Sequence, residues 1–103
     1  MQSLFRLTTA VYKTIKAEPN NSTFLDTYAW ILFQQKRYEE AKIYIDQAIR
    51  SDSTLTGVVK EHAGDIYAMT GDIDKALEFW QQSLKGGNQS AVLKKKIQLK
   101  KYV

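Results

Sequence analysis

Residues 25–49 read LDTYAWILFQQKRYEEAKIYIDQAI, and residues 60–84, 35 positions on, read KEHAGDIYAMTGDIDKALEFWQQSL. The two stretches place the same kinds of residue at the same offsets. A small residue at Ala29 and Gly64 is followed three positions later by a large one, Leu32 and Tyr67. Ala41 and Ala76 come next, with Ile45 and Trp80 four positions beyond, and each copy closes on a small residue, Ala48 and Ser83. Self-similarity at such a period marks supersecondary units that stack, because no single unit buries its apolar face alone.

Outward from this pair, apolar spacing predicts helices throughout. Residues 2–17 place Leu4, Leu7, Val11 and Ile15 on one stripe, and the helix stops before Pro19 in a turn. Ser22 or Thr23 is expected to cap a helix over about 23–35, with Asp26 in its first turn where the helix dipole favours an anion. A corner without glycine, at 35–37, leads into a helix over about 38–51, and 51–56 reads as a polar turn. A fourth helix runs from Gly57 or Val58 to Met69, with Gly71 suited to the left-handed conformation after it. A fifth covers about 73–85. A last one starts at Asn88 or Ser90, with a looser apolar set in Val92, Leu93, Ile97 and Leu99.

Antiparallel helices on a short corner approach closely only where a side chain is small. Ala29 is therefore expected to face Ala41, and Gly64 to face Ala76. Leu32 with Ile45, and Tyr67 with Trp80, fill the space around each contact.

These residues resemble the tetratricopeptide repeat, whose pattern is W-x2-L-G-x2-Y, then A-x3-F, then P. The first copy matches as Leu25, Tyr28, Ala29, Leu32, Ala41 and Ile45, the second as Lys60, Ala63, Gly64, Tyr67, Ala76 and Trp80. Lys60 replaces a large apolar residue, Lys36 the corner glycine, and Ser53 and Asn88 the closing proline. The resemblance implies an all-α chain of about six helices wound as a right-handed α-α superhelix, similar to the C-terminal end of longer bacterial proteins of this kind. One domain over 1–103 is expected: 2–17 as the second helix of an incomplete repeat, 22–55 and 57–87 as repeats, 88–103 as a capping helix. The apolar face of the first helix, Leu4, Leu7, Val11 and Ile15, then lacks a cover and is expected to drive self-association as a homodimer.

Composition narrows the function. With 44% apolar and 12% aromatic residues, 103 residues suffice for one core. The absence of cysteine removes disulfides and thiolate sites. The net charge of +4 belongs to residues 88–103, which hold five lysines and no acid; the other 87 residues carry a net −1. No apolar run approaches the roughly 20 residues of a membrane-spanning helix. Residues 1–14 superficially resemble a transit peptide, but Arg6 and the threonines break any secretory apolar segment. A soluble protein is expected, cytoplasmic by default, or of the cell envelope as part of a longer exported chain.

The resemblance implies that the first helix of each repeat looks onto a concave side. Asp26, Thr27, Trp30, Phe33 and Gln34 then face it from one repeat, and Glu61, His62, Asp65 and Met69 from the next. Trp30 and Phe33 are candidate peptide anchors, since buried aromatics dominate interface energetics. Asp26, Glu61 and Asp65 would favour a basic segment, and they oppose the family's clamp for a terminal carboxylate. His62 with Glu61 and Asp65 offers too few ligands at too loose a spacing for a metal. Gly86 and Gly87 lack the following Lys and Ser or Thr of a phosphate loop. No catalytic residue and no cofactor is expected. The function expected is a non-catalytic interaction module for a protein segment. The alternative is weak, non-specific polyanion binding by Lys94, Lys95, Lys96, Lys100 and Lys101.

Overall fold

The computed structural model describes residues 12–51 and 57–103, and each regular element among them is an α-helix. Leu4, Leu7, Val11 and most of the turn assigned to 51–56 lie outside the described residues. The chain divides into two compact units, Met1–Ser53 and Thr54–Val103.

In the first unit, residues 12–17 are helical (α1), and α2 (Ser22–Gln34) and α3 (Tyr38–Ser51) form a helical hairpin. The cap of α2 is Asn21, whose side chain accepts from the Phe24 N–H at 3.2 Å. This corrects the expected Ser22 or Thr23 cap: an amide oxygen one residue earlier satisfies the orphan donor. Asp26 thereby moves out of the first turn, which holds no acid. Leu25, Ala29 and Leu32 of α2 and Ala41, Ile45 and Ala48 of α3 are all fully buried, as the shared alternation of small and large residues requires. Glu39 and Glu40 in the first turn of α3 and Arg50 in its last complement its dipole. Around this core the Tyr28 ring meets Tyr12 at 5.8 Å and Tyr44, edge to face, at 4.6 Å.

The expected exposure of Ile15 is corrected. With Tyr12 of α1 set against Tyr28 of α2, Ile15 retains only 6% of its exposure and is buried within the chain. An apolar side chain already removed from water has little left to gain from a second copy.

The second unit pairs α4 (Gly57–Met69) with α5 (Ile73–Lys85), and α6 (Ala91–Leu99) packs on α5. Asp72 caps α5 by accepting from the Lys75 N–H, and Ser90 caps α6 by accepting from Leu93. Gly71 takes φ +92 as expected, and Lys36, 35 positions earlier, takes φ +63 without being glycine. Both corners close alike: Arg37 N–H donates to Leu32 and Lys36 to Phe33, as Asp72 does to Tyr67 and Gly71 to Ala68. These paired bonds satisfy carbonyls that a helix end leaves orphaned.

A side chain on Gly64 would collide first with Trp80, its Cβ lying 2.3 Å from the indole, so the small residue there makes room for that ring. The Tyr67 ring in turn lies 5.5 Å from Phe79. Lys60, in a position of the pattern usually apolar, sets its ammonium 6.0 Å from the centre of the Phe79 ring and donates from it to Gln82 at 2.9 Å. An ammonium over an aromatic face is attracted by the ring's quadrupole.

Candidate functional site

The candidate residues of the first unit lie along α2 at steps of three and four. Thr23, Thr27 and Gln34 are exposed, and Asp26 and Trp30 are half-exposed. The opposite side of the helix, Leu25, Tyr28, Ala29 and Leu32, is buried. Phe33 belongs with the interior, at 6% exposure. It is not the exposed anchor expected from its place off the core stripe; Tyr38 covers it edge to face at 5.2 Å. Its other neighbour is Trp30, whose ring stacks on it at 4.6 Å with only 7° between planes. Trp30 is thus held against a buried ring while part of it reaches solvent.

Shifting by 35 places Glu61 where Asp26 stands, His62 for Thr27, Asp65 for Trp30 and Met69 for Gln34. Here the surroundings differ. Asp65 is only 2% exposed and is not a free surface acid. Its carboxylate accepts from the Trp80 indole N–H at 3.1 Å and pairs with the Lys96 ammonium at 2.8 Å. Glu61 accepts from Lys96 at 2.7 Å and from the Asn88 amide at 2.8 Å. Asn88 also donates to Ser83, whose hydroxyl donates to the Gly57 carbonyl. His62 is half-buried and Met69 exposed.

Burial and charge oppose one another in this cluster. Removal from water pushes the Asp65 carboxyl above the usual carboxylate value despite bonds from Lys96 and Trp80. Burial also works to raise Glu61, yet its bonds from Lys96 and Asn88 outweigh it and hold the group below its usual value. For Lys96, burial pulls the pKa down, but bonds to Asp65 and Glu61 together lift it above the ordinary one. Among the described residues, no buried side-chain polar atom is left without a partner. Two of the three acids read as an acidic face, Glu61 and Asp65, are thus paired with Lys96 of the chain's own last helix.

This also corrects the lysine stripe. Lys96 is 4% exposed, so four lysines, Lys94, Lys95, Lys100 and Lys101, remain exposed. Sequence reasoning missed the cluster although two signals were present. Glu61 and Asp65 are one helical turn apart, and Lys96 sits three positions from Leu93 on the buried side of α6. No group of three His, Cys, Asp or Glu suited to a metal exists among the described residues, and none of their helices is long and apolar enough to cross a membrane.

Residues 12–101 match the model of the tetratricopeptide repeat-like domain. Stress-induced-phosphoprotein 1 of Caenorhabditis elegans is 25% identical over an alignment of 95 positions that covers 86% of this chain and 30% of that protein. The fold is similar to a thermophilic TPR protein of Thermus thermophilus, with a TM-score of 0.75 and 13% identity over 94% of this chain and 49% of the other. It is similar also to the N-terminal domain of stress-induced protein-1 from C. elegans, with a TM-score of 0.70 and 23% identity over 87% of this chain and 75% of that one. The chain thus spans 30% of the curated relative and 49% of the Thermus protein.

Proposed function

The chain belongs to the tetratricopeptide repeat-like family, and from that premise we propose that it is a non-catalytic interaction module that binds a protein segment along the accessible side of α2. The observation that carries this reading is the stripe of Asp26, Thr27, Trp30 and Gln34, accessible on a helix whose other side is core. Trp30 is its anchor. Stacking on buried Phe33 restricts the ring before any partner arrives, so little side-chain freedom remains to be lost on binding. Asp26 favours a segment with a basic residue near that anchor. On α4 of the second unit, His62 and Met69 are the accessible members of the expected contact set, whereas Asp65 and Glu61 are engaged by Lys96.

The test begins with peptides selected for binding to the full chain, followed by calorimetry on variants. Trp30→Ala should weaken binding by about tenfold or more, as for a hot-spot aromatic, and Asp26→Asn should weaken basic peptides alone. Unchanged affinity in Trp30→Ala, with loss on replacing Lys94, Lys95, Lys100 and Lys101 by Gln, would instead establish the polyanion alternative.

A further inference from the structure

We infer that the outer face of α6, with residues 100–103 behind it, is a docking surface for an anionic lipid bilayer, on which the chain rests without crossing. The observation that opens this reading is a pair of apolar side chains turned away from the core. Leu93 of α6 is fully buried, whereas Val92 and Leu99 remain 50% and 45% exposed. The two are seven positions apart with Lys95 between them, at steps of three and four, so all three share one face of the helix.

The residues after the helix are fixed to its end. Lys100 takes the left-handed conformation, and the Lys101 N–H donates to the Lys96 carbonyl at 3.3 Å. The Tyr102 ring sits 5.2 Å from the Lys96 ammonium, which is itself held by Glu61 and Asp65. Tyr102 and Val103 nonetheless keep substantial exposure. A surface ordered in advance loses little freedom on docking.

Charge and patterning together identify what docks there. None of residues 79–103 is Asp or Glu. With Lys96 paired inside, the exposed Lys94, Lys95, Lys100 and Lys101 are interspersed with exposed Val92, Leu99, Tyr102 and Val103. A nucleic-acid backbone would use these lysines but give the apolar groups no partner, and base stacking needs a series of aromatics where Tyr102 stands alone. A protein interface sets its charges on a rim around an apolar centre, whereas Lys95 lies between Val92 and Leu99. A bilayer surface supplies anions directly above acyl chains. Apolar side chains enter it while lysine stems leave their ammoniums among the headgroups. Each lysine near an anionic leaflet strengthens binding by about fivefold. This surface is on α6 and does not depend on the reading of α2.

The experiment is co-sedimentation of the full chain with phosphatidylcholine vesicles, with and without about 30% phosphatidylserine, at about 0.1 M salt. Binding to the anionic vesicles alone is expected. Replacing Lys94, Lys95, Lys100 and Lys101 by Gln should weaken it by about a hundredfold or more. Val92→Ser with Leu99→Ser should weaken it by about tenfold and leave retention on heparin unchanged, with the fold checked by circular dichroism. Trp30→Ala should bind vesicles as the wild type does, whatever it does to peptide binding. Should the serine pair fail to fold, NMR of the wild type with anionic bicelles tests the same face: amide resonances of 91–103 should broaden and those of α2 should not. Absence of binding to the anionic vesicles, or broadening centred on α2, overturns the inference. Unchanged vesicle binding by a folded serine pair overturns it in favour of charge alone, the behaviour of a general polyanion binder.

Discussion

Gly64 shows how one missing side chain sets the chemistry of the second unit. Its place in the repeat invites the view that it lets two backbones meet, yet the nearest claimant on its space is the Trp80 indole. That ring carries the N–H that orients Asp65, so a packing choice at residue 64 becomes an electrostatic one at residue 65. Gly64→Ala should therefore cost about 1–3 kcal/mol through overpacking, and more where the indole loses its bond to a buried carboxylate. Thermal unfolding measures the loss, and an unchanged midpoint would show that Trp80 yields without cost. The small residue itself was legible, since Ala29 and Gly64 share a repeat position. What it faces was not, because the pattern gives spacing along one helix and no rotamer on the next.

Among the elements, the two hairpin corners are built from the same pair of backbone bonds, yet one uses Gly71 and the other Lys36 at positive φ. A side chain in the left-handed region costs roughly 1 kcal/mol against glycine. Lys36→Gly should accordingly raise stability by up to about 1 kcal/mol, less what glycine costs in the unfolded chain, seen as a rise of a few degrees in the unfolding midpoint. A fall would mean that the Lys36 stem contributes packing that outweighs the backbone strain. The hairpin elements were read closely from sequence: α3, α4 and α5 begin and end where apolar spacing and turn residues placed them. The start of α2 was misread because Asn21, Ser22 and Thr23 are all competent caps, and only geometry chooses among them. For α6 the spacing of Leu93 and Lys96 was visible, but a lysine on an apolar stripe has no meaning until its carboxylates are known.

For the whole molecule, the ionic cluster ties folding to pH with a definite sign. Lys96 has a folded pKa above the ordinary 10.5, so its stabilisation is complete below 10.5 and is lost as pH rises through the folded value. Tyr28 and Tyr44, raised chiefly by burial, lose their contribution in the same alkaline direction. Glu61 is lowered, so its contribution is present above 4.5 and lost as pH falls through its folded value. Asp65 is raised and works the other way, which blunts the acid limb. A chain with Lys96→Met, Glu61→Gln and Asp65→Asn should lose part of the alkaline dependence in a denaturant titration from about pH 8 to 12 while keeping the tyrosine part. Identical slopes in both chains would contradict the assignment to Lys96. The same cluster joins residues far apart in the order of synthesis. A product released before Lys96 carries Asp65 and Glu61 without their counter-charge, and removing one partner of a buried pair costs about 3–5 kcal/mol. Premature termination is thus written into the stability of the product, which cellular quality control can read without reading the message.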